Sequence, residues 1–289
     1  MTAKRLYFTV TAGRSGQASL TGFLQTSVPQ SLALFEAPQV RPVLPRFLGD
    51  IERRLRRRYF ETHELLGRGA VLTAFEQGDE AALDRFAARR LAWIDGQVKR
   101  SGAEICIDVS KYFARGMHRA IARARPDIGI IRLVRDPILN MRSFLGRNKN
   151  FYLDNVSPSC EFNLLRLDAD SLSLGELYLW AWCEMYLRFD RLVEEFSLSP
   201  AVEIRTEDLN DPSALAEKFS TLDLSFGTIE AAPPRNTNVS QGHGETIVRM
   251  NDIETFERFR DRLPADIEKR ISYFNDYDAR TRFAVASAA

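Results

Sequence analysis

Five short apolar runs, separated by stretches of helical period, set the limits on what this chain can fold into. The first, residues 6–11, is aromatic and β-branched and ends in Ala12-Gly13-Arg14-Ser15-Gly16, after which Ala18, Leu20, Phe23 and Leu24 recur at helical spacing. That order reads as strand, tight loop, helix. The other runs are 31–35, 104–109, 129–134 and 201–205. Helices are expected at 47–63, 79–100, 114–125, 138–146, 174–196 and 264–277, with ends good to ~2 to 4 residues. Strands that alternate with helices return by crossovers, so the expected fold is α/β: a single domain over 1–289, with a mainly parallel sheet flanked by helices on both faces. Two stretches have no clear period, 147–173 and 225–250. Long irregular connections of this kind serve as lids or acceptor loops, or as plain surface excursions.

Composition narrows the function. With 40 Lys+Arg against 39 Asp+Glu the net charge is +1, which gives no general field for a polyanion; an anionic ligand must meet a local cluster, and nucleic acid is not expected as a partner. Cys106, Cys160 and Cys183 are widely spaced and show no CxxC, so neither a disulfide framework nor a zinc site is expected. No apolar run reaches ~18 residues, and Met1 to Arg5 leads into the first strand with no signal-peptide core. The expectation is a cytoplasmic protein with no integral membrane segment.

Two strand ends carry chemistry. Gly13-Arg14-Ser15-Gly16-Gln17-Ala18-Ser19 lies between the first strand and the first helix, where backbone N–H groups converge at the positive end of a helix dipole and suit a phosphate-like oxyanion. Arg14 adds counter-charge, and Ser15 and Ser19 add hydroxyls. A kinase-type GxxxxGK[ST] loop would place a Lys and a magnesium-binding hydroxyl where Gln17-Ala18 stand, which disfavours metal-nucleotide hydrolysis. The second strand end is Arg135-Asp136-Pro137, with Pro137 opening a helix and Ser143 eight positions after Arg135, two turns along and able to face the same phosphate. Together they suggest a ligand with two separate anionic groups.

On Gly13-Arg14-Ser15-Gly16 and on Leu133-Val134-Arg135-Asp136-Pro137 with Ser143, the chain resembles the sulfotransferases that use 3′-phosphoadenosine-5′-phosphosulfate (PAPS) and release PAP. Asp108-Val109-Ser110-Lys111-Tyr112-Phe113 and Arg205-Thr206-Glu207-Asp208-Leu209 are similar to segments of carbohydrate sulfotransferases, so the likeness runs from about residue 5 to 210, and Trp180, Trp182 and Glu184 sit where the family has a helix. The resemblance implies a P-loop-like architecture and a first loop that holds the 5′-phosphosulfate. It further implies that Arg135 and Ser143 hold the 3′-phosphate, and that sulfonate passes to a hydroxyl, or as second choice an amine, of a carbohydrate, lipid-linked or small natural-product acceptor. No metal is needed for that reaction. The chain departs from the family at Gln17-Ala18, and it lacks the Arg-Lys-Gly segment of some cytosolic members, for which Gln241-Gly242-His243-Gly244 is the substitute considered.

Within that mechanism Arg14 and Lys111 are the candidates to neutralise charge on the leaving phosphate oxygen. Glu36, in Glu36-Ala37-Pro38 after the second strand, is the chosen base, with His63 as the competitor. His118 and His243 read as structural or solvated. Arg53, Arg54, Arg56, Arg57 and Arg58 read as a solvated helix face or, more sharply, as an acceptor-recognition surface. The alternatives are a P-loop kinase-like phosphotransferase and a non-catalytic nucleotide-binding module.

Overall fold

In the computed structural model, which describes residues 4–35, 48, 51, 69–146, 150–224 and 247–283, the five expected strands form one parallel sheet. They are β1 Arg5–Val10, β2 Ser31–Leu34, β3 Ile105–Asp108, β4 Gly129–Val134 and β5 Ala201–Arg205, in the order β2-β3-β1-β4-β5. The described helices are α1 Gln17–Ser27, α2 Ala70–Glu76, α3 Glu80–Ser101, α4 His118–Ala124, α5 Pro137–Leu145, α6 Leu174–Phe196, α7 Pro212–Ser220, α8 Met250–Arg260, α9 Ala265–Arg270 and α10 Ala279–Phe283.

Side-chain alternation along the strands divides the apolar residues between two cores. In β1, Leu6, Phe8 and Val10 enter the larger core with Phe113, Ile121, Trp180 and Leu187. Tyr7 enters the smaller one, with Leu20, Phe23 and Leu24 of α1 and Leu215 and Phe219 of α7. Every residue of β1 after Arg5 is buried, as a central strand covered on both faces requires. Side chains cap the helices where the sequence offers Asp or Ser: Asp79 starts α3, Asp136 starts α5, Asp211 starts α7, and Ser173 with Glu176 forms a capping box on α6.

The helix expected at 114–125 starts only at His118, because a 3₁₀ turn at Phe113–Arg115 and Gly116 precede it. The helix expected at 264–277 breaks at Ile271 into α9 and a 3₁₀ turn, Ser272–Phe274. Helices α2, α7, α8 and α10 were not expected; all but α8 have fewer than ten residues, too few for periodicity to stand out. Of the helix expected at 47–63, only residues 48 and 51 are described. The stretch at 150–173 is packed rather than loose: Asp154, Asn155, Asn163 and Leu165 are buried, and Glu184 accepts hydrogen bonds from the Leu164 and Leu165 N–H groups.

This topology places the site. From β1 the chain departs towards β2 on one side of the sheet, and from β4 towards β5 on the other. The carboxyl ends of β1 and β4 therefore flank a crevice where the winding reverses, the place where open α/β sheets bind ligands.

Candidate functional site

The loop after β1 turns through three left-handed residues, Gly13 at φ 90°, Arg14 at 59° and Gly16 at 84°. Its four carbonyls from Ala12 to Ser15 are each tied by a side chain brought from elsewhere. Arg115 Nη2 donates to Ala12 O at 2.8 Å, Asn140 Nδ2 to Gly13 O at 2.7 Å, Arg135 Nη1 to Arg14 O at 3.2 Å and Thr206 Oγ1 to Ser15 O at 3.2 Å. The acceptors being used up this way, the other side of the loop is made of donors. The first α1 hydrogen bond runs from Leu20 N to Gly16 O, and Gly16 provides no side-chain cap. The N–H groups of Gly16, Gln17, Ala18 and Ser19 consequently lack intrahelical partners at the positive end of α1 and can meet an oxyanion.

The expected cationic groups converge here. Arg14 Nε donates to Ser143 Oγ at 3.0 Å, so the first loop and α5 touch through two of the predicted ligands. Burial pulls the Arg135 guanidinium down from its ordinary range, while Asp136 and Glu207 pull it back up; an arginine stays charged under such opposition. Trp182 Nε1 donates to Arg135 O at 2.8 Å and holds its backbone. The neighbouring Asp136 is fully buried: its Oδ1 caps α5 and its Oδ2 accepts from Tyr277 Oη at 2.8 Å and pairs with Arg282 Nε at 2.9 Å. Burial raises the Asp136 carboxyl, countered by the Leu139 N–H, Tyr277, Arg282 and the Ile138 N–H.

Lys111 lies against the same loop. A Cβ built on Gly13 would fall 3.0 Å from Lys111 Cδ and 3.4 Å from Phe144 Cζ. The lysine is not a solvated strand-end residue: it is 8% exposed, and its Nζ is 2.7 Å from Asp154 Oδ2. A small cavity lined by Val10, Thr11, Ala12, Ser15, Val134 and Trp182 opens between β1 and β4 beneath the loop. A larger cavity bounded by α2, α4 and α6 shares no lining residue with the loop.

Gly13, Arg14, Ser15, Gly16, Gln17, Ala18, Ser19, Lys111, Arg135 and Ser143 are thus gathered around one crevice. Two of them differ from expectation in what they do. Ser15 is buried, with its Oγ donating to Gly13 O and accepting from Asn140, so its hydroxyl braces the loop. Gln17 Nε2 donates to Val109 O at 3.1 Å and ties α1 to the end of β3. Glu36, His63, the Arg53 to Arg58 run and Gln241 to Gly244 lie outside the described residues. His118 is buried on α4, as its structural reading required. Sequence reasoning missed Asn140, Arg115, Asp154 and Tyr277. Asn140 had a signal, a polar residue in the otherwise apolar helix face following Asp136. The other three had none, because each acts on a residue far away in the chain.

The late Arg205–Leu209 segment proves to be scaffolding for the loop. Thr206 holds Ser15 O and Val134 O, and Leu209 Cδ1 comes within 2.4 Å of where a Gly16 Cβ would be. Arg205 itself points to Glu203.

Among the described residues no group of three or more His, Cys, Asp or Glu side chains is placed to hold a metal ion, and no helix is long and apolar enough to cross a membrane. No protein-family model matches the chain. No curated protein matches it either. Among solved structures it is similar to the sulfotransferase domain of the Synechococcus PCC 7002 olefin synthase, at 17% identity and TM-score 0.48 over 96% of both chains. It is also similar to a sulfotransferase from Alicyclobacillus acidocaldarius, at 16% identity and TM-score 0.47, covering 96% of this chain and 98% of that one. A third is the sulfotransferase domain of the curacin biosynthetic pathway, at 12% identity and TM-score 0.44, covering 96% and 99%. At this level of similarity the likenesses bear on neither donor nor acceptor.

Proposed function

We propose that the protein transfers a sulfonate group from PAPS to a hydroxyl of a carbohydrate, lipid-linked or small natural-product acceptor. The observation that carries this reading is the pairing of the β1 loop, its carbonyls tied back and its helix-start N–H groups left as donors, with Arg14, which donates to Ser143 Oγ and accepts from Arg135 at its carbonyl. Such a cradle suits a ligand that carries anions at two places, as PAPS does. The 5′-phosphosulfate is assigned to the loop and α1 start, and the 3′-phosphate to Arg135 and Ser143.

In the reaction the acceptor oxygen attacks sulfur as the bond from sulfur to the phosphate oxygen breaks. Sulfonate joins the acceptor, PAP leaves with the electron pair, and the acceptor proton passes to a base. Glu36 is the proposed base, with His63 as competitor. Arg14 and Lys111 face the growing negative charge on the leaving oxygen, where fixed cations in a partly dry crevice count for most. Arg14 serves as a permanent charge and not as an acid. The acceptor is an ordinary substrate, and the chemistry needs positioning more than covalent help.

The test is binding followed by transfer. PAP should raise the melting temperature in metal-free buffer, as a ligand of the folded state does, and PAPS with a hydroxyl acceptor panel should yield sulfonated product and PAP. Stabilisation by ATP and magnesium but not by PAP would favour a kinase-like phosphotransferase. PAP binding with no transfer to any acceptor would leave a nucleotide-binding module.

A further inference from the structure

We infer that Asp154 is a positioning residue for the transfer step, acting through Lys111; this rests on the sulfonate-transfer reading. Lysine is a compact charge on a flexible four-carbon stem, and burial alone drives it towards the neutral amine. Here the stem runs along Gly13, and Nζ meets Asp154 Oδ2 at 2.7 Å with the two side chains 9% and 12% exposed. A carboxylate at that distance favours the ammonium and fixes its direction.

Asp154 is itself held by the group that holds the loop. Arg115 Nη1 donates to the Asp154 carbonyl and to Asn155 Oδ1, while its Nη2 donates to Ala12 O. Asn155 in turn donates to Phe151 O at 2.9 Å, and the Phe151 ring packs edge-on against Tyr178 and Trp180 of α6. One guanidinium therefore sets the distance between the β1 loop and the carboxylate that aims Lys111. Among the described residues the pair is also faced by the Tyr112 ring, 5.1 Å from Lys111 Nζ, by Arg115, and by Tyr178, whose hydroxyl is raised by burial and by Asp154 and lowered by Arg115. An ammonium has three donors, so holding Asp154 does not prevent Lys111 from also donating to the leaving phosphate oxygen. Asp154 thus keeps Lys111 charged and beside the loop before the donor arrives.

The experiment combines kinetics with a titration that needs no turnover. Asp154→Asn should lower kcat at least about tenfold with KM for PAPS changed less than about threefold, the pattern of a lost transition-state interaction. In a Lys111→Ala background the same substitution should change kcat less than about twofold, because the two act as a unit. The chain has only six lysines, so ¹³C labelling at lysine Cε lets each be followed by NMR against pH. Lys111 should titrate lower in Asp154→Asn than in the wild type, since the substitution removes the carboxylate that favours its ammonium. Multiplicative losses in kcat, or a Lys111 titration unmoved by the substitution, would overturn the inference. A wild-type Lys111 that titrates below the chain's other lysines would overturn it even if the variant fails to fold. A wild-type protein that binds PAP but transfers nothing would sink the transfer reading and leave the titration to judge the pair by itself.

Discussion

Gly16 is where the late chain grips the first loop, and the size of that grip can be worked out. The residue sits at φ 84° and ψ 17°, and an added Cβ would lie 2.4 Å from Leu209 Cδ1 and 3.5 Å from Thr206 Cγ2. Gly16→Ala incurs two separate costs. A left-handed backbone with a Cβ costs ~1 to 2 kcal/mol. Leu209, 4% exposed in the smaller core, must also be displaced, which costs ~1 to 3 kcal/mol as overpacking. The total is about 2 to 5 kcal/mol, to be read from urea unfolding. Leu209→Ala costs ~2 to 5 kcal/mol by itself but opens the space. In that background Gly16→Ala should keep only the backbone cost of ~1 to 2 kcal/mol, so the double variant should be more stable than the sum by ~1 to 3 kcal/mol. Equal costs in both backgrounds would refute the close approach, and a wild-type cost below ~1 kcal/mol would refute the left-handed constraint as well.

Four further outcomes are expected. Arg135→Ala should weaken PAP binding by roughly 10- to 100-fold in calorimetry, the worth of a charge-assisted hydrogen bond; an unchanged Kd would remove Arg135 from the cradle. Asn140→Leu strips a donor from Gly13 O and should weaken PAP binding with a stability loss of ~1 to 3 kcal/mol, whereas normal affinity at reduced stability would make it purely structural. Asp108→Ala removes the carboxylate oxygen that accepts from both Nε and Nη2 of buried Arg90, a loss of ~1.5 to 3 kcal/mol and of several °C in Tm; a shift within ~2 °C would show that the pair carries no such penalty. His118 is driven well below its ordinary range, first by burial and then by Arg188 and Arg119. It stays neutral when folded, yet it gains a proton in the unfolded chain below ~6.5. Its contribution is full above that pH and is lost as pH falls, by up to ~1.4 kcal/mol per unit. His118→Gln should flatten the difference in stability between pH 6.5 and 5, and an identical pH slope in both proteins would refute the assignment.

The outline of the fold was legible because parallel strands buried on both faces must be continuous apolar runs, and all five runs became strands in one sheet. Arg14 and Arg135 were legible for a related reason: Arg135 follows β4 directly and Arg14 stands in the loop that leaves β1, and in a parallel sheet every strand carries its carboxyl end to the same edge. Helices α7 and α10 were not legible, being nine and five residues long and depending on tertiary packing more than on their own period.

What the residues determined by themselves is local: runs that must be strands, glycines that must turn, and arginines that must stand at strand ends. The order of the strands, and hence the adjacency of β1 and β4, was decided only by tertiary structure. So were the pairs that finish the site, Lys111 with Asp154 at 43 positions apart, Arg14 with Ser143 at 129 and Ser15 with Thr206 at 191. A hydrogen bond or ion pair between such distant residues leaves no periodic trace in the chain. It exists only because the crossovers bring the strand ends together.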